Sequence, residues 1–163
     1  MPQDKSLDDL FLETLKDIYY AEKQILKALP KMARGAEASE LRTAFLKHRD
    51  DTEIHVERLQ QIFKMVDKPA RGKTCDAIFG IIEEGKEVLE EFKGSPALDA
   101  GLTAAAQAVE HYEIARYGTL KAWAQQLGMK EAVSLMDQTL HEELKTDKAL
   151  SQVGLARANP KAA

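Results

Sequence analysis

The chain has 163 residues, of which 44% are hydrophobic and 31% charged, and 27 acidic against 23 basic side chains leave a formal charge of −4. That is the length and balance of one globular domain with a continuous core. No Lys/Arg block stands out to bind nucleic acid, and no apolar run approaches the roughly 20 residues needed to cross a bilayer. Residues Met1 to Tyr20 are charged and amphipathic rather than signal-like. Cys75 stands alone, which excludes an intrachain disulfide and a thiolate-rich metal site, so a reducing, cytoplasmic location is expected.

Helical periodicity covers nearly the whole chain and no convincing strand is found. The first helix starts near Ser6, an N-cap followed by Asp8 and Asp9, and its apolar stripe runs Leu7, Leu10, Phe11, Leu15, Ile18, Ile25, Leu29, Met32. Pro30 falls inside that stripe and predicts a bend. Gly35 closes the helix, and Ser39 caps a second one carrying Leu41, Phe45, Leu59, Ile62 and Val66, stopped by Lys68-Pro69. A shorter helix is expected from about Thr74 to Phe92. Gly94-Ser95-Pro96 reads as stop, N-cap and first helical residue of a long helix towards Leu127, which Gly128 breaks. A last helix holds Ala132, Leu135, Met136, Leu150 and Val153. Trp123, Met65, Met129 and Met136 read as core. The expectation is one domain over residues 1–156, with 157–163 a disordered tail. Two hairpins of long helices, joined by a segment that contains its own helix, make a four-helix bundle with one crossover.

The functional signal is what interrupts each apolar stripe. Glu22 lies four residues from Ile18 and Leu26, on the buried face of the first helix. In the second, His48, Asp51, Thr52 and His55 fill the gap between Phe45 and Leu59, and Asp51 with His55 have the i, i+4 spacing that stacks side chains. Glu110 and Glu113 interrupt the third long helix, and Glu143 with Asp147 the fourth. A faint repeat lays Asp51 on Glu143 and His55 on Asp147, suggesting paired half-sites. Several buried carboxylates facing one another are desolvated and mutually repelled, and two divalent cations remove both penalties. Carboxylates with imidazole and no thiolate suit iron first, with manganese or zinc as alternatives.

Blander readings exist for each residue. Glu110 and Glu113 can pair with Arg116, and His55 can be a satisfied core histidine. His48 and His111 read as structural or surface groups, and Asp50, Glu53, Glu57 and Glu142 as a solvated flank. Asp50 with Glu53 is an i, i+3 alternative to Asp51 with His55. Tyr19, Tyr20, Tyr112 and Tyr117 read as packing or hydrogen-bonding neighbours of the acidic layer.

Five segments carry a resemblance: Tyr19 to Gln24; Thr52 with His55 to Leu59; Lys73 to Ala77; Ala106 to Ala115; and Tyr117 to Leu120. In this order they resemble the bacterial YciF/YciE-type ferritin-like family, over about Ser6 to Val153. The resemblance implies a ferritin-like fold related to the rubrerythrins, stress-associated cytoplasmic expression, and a homodimer. Carried over, the rubrerythrin pattern of ligands falls on Glu22, Asp51 with His55, Glu110 with Glu113, and Glu143 with Asp147. Asp51 stands where that pattern has Glu, and Asp147 where it has an imidazole. Rubredoxin-type cysteine pairs are absent.

Three functions are compatible with this reading. The first is a di-iron or di-manganese centre that reduces peroxide or dioxygen with an unidentified electron donor. The second is metal sequestration without turnover, and the third a structural or interaction bundle. No nucleic acid or membrane partner is expected.

Overall fold

The computed structural model describes residues 4–163, so residues 1–3 of the expected domain lie outside the described residues. Five helices of 16 to 29 residues account for most of them: α1 (Leu7–Gly35), α2 (Ser39–Met65), α3 (Asp76–Glu91), α4 (Leu98–Gln126) and α5 (Lys130–Val153). No strand occurs among the described residues. Nor is any helix there long and apolar enough to cross a membrane.

The helix ends show which local signals were sufficient. At the start of α1, Ser6 and Asp9 form a reciprocal capping box, the Asp9 carboxylate accepting from the Ser6 N–H at 2.8 Å and the Ser6 hydroxyl from the Asp9 N–H at 3.3 Å. The helix then runs through Pro30 to Gly35. Ser39 does not cap α2. The Asp99 carboxylate of α4 accepts from the Glu37 and Ala38 N–H groups at 2.8 and 2.7 Å, pinning the chain just before the helix from across the fold. Asp67, in the left-handed region at φ 53°, turns the chain after α2 before Pro69 is reached. The crossover lies on α1: the Lys73 N–H donates to the Lys16 carbonyl at 3.2 Å, and a Cβ at Gly72 would sit 2.9 Å from Tyr20 Cβ. The helix expected from about Thr74 begins at Asp76, and the Cys75 sulfur caps it by accepting from the Ile78 N–H. Ser95 precedes α4 by a turn, its hydroxyl accepting from the Ala97 N–H.

In the bundle α1 packs on α2, α4 on α5, α2 on α5 and α1 on α4, while α3 covers α4 and α1 from outside. This is the expected pair of hairpins with a helix in the crossover. The core is the inward stripe of each long helix, for example Leu15, Ile18, Phe45, Ile62, Leu102, Leu120 and Met136. Leu10 and Met65, expected in the core, are 50% and 38% exposed because they lie at the edges of their stripes. The segment expected to be a disordered tail is helical up to Ala162. A π-turn (Gly154–Ala158) buries Gly154 and Ala158, and a short helix α6 (Asn159–Ala162) follows, its Lys161 ion-paired with Glu37.

Candidate metal centre

Midway along the bundle, where the inward stripes should be apolar, six titratable side chains are almost completely withdrawn from water. Glu22, Glu110, Glu113 and Glu143 are 0% exposed, His55 1% and His48 2%. The cause is periodic. On α2 the buried positions are Phe45, His48, Thr52, His55, Leu59 and Ile62, spaced by threes and fours, so both imidazoles occupy core positions of one helix. Glu110 and Glu113 hold the equivalent place on α4, between Val109 and Tyr117. Glu22 does so on α1, and Glu143 on α5 between Thr139 and Leu150.

The ligand-type atoms fall into two groups, each with all its atoms within 4.8 Å of one another: His48, Glu110, Glu113 and Glu143 in one, Glu22, His55 and Glu143 in the other. Glu143 belongs to both. His48 Nε2 is 2.9 Å from Glu110 Oε1 and 3.7 Å from oxygens of Glu113 and Glu143. His55 Nδ1 is 2.8 Å from Glu143 Oε1 and 3.9 Å from Glu22 Oε1. Although these atoms are close, both oxygens of Glu110, Glu113 and Glu143, Glu22 Oε2, both His48 nitrogens and His55 Nδ1 have no hydrogen-bond partner among the described residues. Each such orphan costs about 1–3 kcal/mol, more when charged. Beyond the close His48–Glu110 and His55–Glu143 approaches, more buried donor atoms converge on these two points than can satisfy one another, as ligands of a common ion do.

Charge gives the same answer. Four carboxylates carry −4 when ionised, and two divalent cations carry +4. Without cations, protons must do the work. Burial, followed by the neighbouring Glu143, pushes Glu110 and Glu113 well above the usual carboxylate range. Burial raises Glu22 to about 6 against the pull of His55. Burial acts on Glu143 too, but Glu110 and His55 beside it bring its carboxyl down to about 2. For His55 burial opposes the charge, and Glu143 and Glu22 outweigh it, raising the imidazole to about 9. Burial holds His48 below its ordinary value. The donor set, oxygen-rich with two imidazoles and no thiolate, suits iron or manganese, with zinc as an alternative.

Support around the cluster is uneven. His55 Nε2 meets Glu142 Oε2 at 2.7 Å, and Arg58 holds that same carboxylate with bonds of 2.7 and 2.9 Å while also donating to Thr139. This carboxylate–imidazole arrangement orients the ring so that Nδ1 faces the cluster. The Tyr117 hydroxyl, fully buried, donates to Glu22 Oε1 at 2.7 Å. His48 has no comparable partner at Nδ1.

Of the seven residues singled out from the sequence, the structure brings together Glu22, His55, Glu110, Glu113 and Glu143 and leaves out two. Asp51 lies one position off the buried phase of α2 and pairs with Lys47 at 2.5 Å. Asp147 pairs instead with Gln107 and His111, each at 3.2 Å. The i, i+4 spacing that recommended both places them beside the buried face, not in it. Asp50 and Glu53 are exposed, so that alternative also falls outside. The proposed repeat fails as well, since both imidazoles come from α2. His48, read as structural or surface, is in the cluster. The seven-residue interval between His48 and His55, in phase with Phe45, Thr52 and Leu59, is the signal that could have found it. Glu142, read as solvated flank, is the partner of His55. Arg116 does not pair with Glu110 or Glu113; its guanidinium lies 5.3 Å from the Tyr112 ring centre.

The chain matches the family described as "Domain of unknown function (DUF892)" over residues 6–163. It is 42% identical over 159 residues to protein YciF of Escherichia coli K12, covering 97% of this chain and 96% of that protein. Against the crystal structure of the E. coli stress protein YciF the TM-score is 0.91, with 41% identity over 95% of this chain and 98% of that one. YcfI of Rhodopseudomonas palustris gives 0.89 with 44% identity over 94% and 98%. A Xanthomonas campestris protein at 22% identity and TM-score 0.70 over 93% and 92% shares the fold. The bundle is thus the ferritin-like one, and the chain belongs to the DUF892 family, alongside YciF.

Proposed function

We propose that this protein is a cytoplasmic stress protein, like its relative YciF in name, whose bundle holds a dinuclear metal centre, with iron as the leading candidate. The observation that carries this reading is the pair of ligand groups sharing Glu143, with their oxygen and nitrogen atoms orphaned among themselves. Glu110, Glu113 and His48 would hold one ion, Glu22 and His55 the other, with Glu143 within reach of both. When bound, such a pair supplies electron-transfer and Lewis-acid chemistry suited to reducing peroxide or dioxygen.

The chain's own contributions follow from the geometry. Leu15, Ile18, Phe45, Leu59 and Tyr117 keep bulk water out. Glu142 and Arg58 fix the tautomer and orientation of His55. The Tyr117 hydroxyl donates to Glu22 Oε1 and so orients that carboxylate, while burial beside Glu22 holds the proton firmly on the phenol. Elemental analysis of protein purified without added metal tests the reading. It is supported by about two equivalents of metal per chain that fall when Glu110 and Glu113 are replaced by Gln, and it fails if metal-supplemented growth yields none.

A further inference from the structure

One apolar pocket reaches the cluster from outside. It is enclosed by α1, α3 and α4, has a volume of about 180 Å3, and is walled by Ile25, Ile81, Ile82, Gly85, Ala105 and Val109. His48 of α2 also lines it, and is the one residue common to the pocket and the candidate ligand groups. A dry cavity of about 150 Å3 in another protein takes up benzene, so this space admits a ring or a short alkyl chain.

The charge around it is one-sided. Lys27, Lys31 and Lys86 line the pocket, are exposed, and so mark its mouth. Lys86 is engaged by Glu83, whereas Lys27 and Lys31 form no ion pair among the described residues. No carboxylate is among the lining residues, although the chain has 27 acidic side chains. A glycine inside a helix weakens it by roughly 0.5–1 kcal/mol relative to alanine. A Cβ at Gly85 would meet only Ala105 Cβ, at 3.6 Å, so packing does not require the gap. Gly85 of α3 and Ala105 of α4 thus leave the pocket wall with small side chains where the two helices face each other.

We propose that this pocket binds a small apolar carboxylate, its anion at Lys27 and Lys31 and its body running inward to the His48 ring. The binding needs no metal. Its effect on the metal centre, through His48, rests on the reading given above, for which it names the class of organic molecule that reaches the centre.

The test is calorimetric titration of the full-length protein, metal-free and metal-loaded, with octanoate and with neutral 1-octanol. Saturable, one-to-one octanoate binding is expected in both forms. Lys27→Gln with Lys31→Gln should weaken octanoate about fivefold, the scale of two exposed charge contacts, and leave octanol unchanged. Ala105→Leu should abolish both. Gly85→Ala, an ordinary contact that preserves folding, should weaken both severalfold. In Co2+-loaded protein octanoate should shift the visible absorption bands. Absence of octanoate binding at millimolar concentration, or binding indifferent to both Gly85→Ala and Ala105→Leu, overturns the proposal. Binding indifferent to the lysine changes overturns its anionic half. Because the metal-free titration stands alone, a protein that binds octanoate but no metal would refute only the metal reading.

Discussion

The two histidines of α2 sit seven residues apart on one face, yet their surroundings differ. His55 is clamped: Glu142 takes its outer nitrogen, Arg58 takes Glu142, and Tyr117 bonds the neighbouring Glu22. His48 is free at Nδ1 and borders an apolar pocket. One half of the cluster is therefore preorganised and the other is accessible. A centre that must both retain ions and meet a reactant benefits from that division, since rigid support raises affinity while an unsupported ligand next to a cavity lets coordination change.

The largest effect should come from the residue that joins the halves. Glu143→Gln is expected to lower affinity for both ions by more than about a hundredfold, read as metal content after gel filtration. If only the His48 half loses its ion, Glu143 is not shared. Next, stripping metal with a chelator should lower Tm by ~10 °C. That corresponds to about 4 kcal/mol of binding linkage, at 2–4 °C per kcal/mol for a chain of this size. An unchanged melting curve would mean that protons alone satisfy the cluster. Arg58→Ala should then distinguish the halves, weakening the ion at His55 by ~10–100-fold and leaving that at His48 nearly unaffected.

The metal-free protein should also show an inverted pH response. Glu22, Glu110 and Glu113 have folded values above the roughly 4.3 of an unfolded chain, so their ionisation favours unfolding, and stability is lost as pH rises through those folded values. His48, held below about 6.5, acts in the opposite sense but is a single group. His55, raised to about 9, contributes fully below about 6.5, and Glu143, lowered to about 2, contributes above about 4.3. Urea denaturation should therefore find the metal-free protein more stable near pH 5 than at 7.5, by on the order of 1 kcal/mol. Loading with metal should remove the difference. The smallest effects belong to Asp51→Ala and Asp147→Ala, each within about 0.5 kcal/mol in stability and without change in metal content, because both are partly exposed ion-paired groups.

How much of this could be read from the sequence depends on the element. The all-helical bundle, its crossover helix and the capping box at Ser6 follow from local periodicity and spacing, which is why they were legible. The start of α2 at Ser39 was legible too, but not what ties it down, because Asp99, which accepts from the Glu37 and Ala38 N–H groups, lies some sixty residues away in sequence. Glu22, Glu110, Glu113, Glu143 and His55 were visible as interruptions of apolar stripes. Asp51 and Asp147 were misplaced because a helix advances 100° per residue, and an i, i+4 partner of a buried residue can lie on the flank of the buried face. Glu142 and Arg58 looked like ordinary surface charges. Only the packing of α2 against α5 turns them towards His55.

Anomalous diffraction from crystals of the purified protein, recorded on both sides of the metal absorption edge, tests the central claim most directly. Two peaks flanking the Glu143 carboxylate, one next to His48 Nε2 and the other next to His55 Nδ1, are the expected result. Well-ordered carboxylates at full occupancy with no peak among them, after growth in iron- and manganese-supplemented medium, would contradict it.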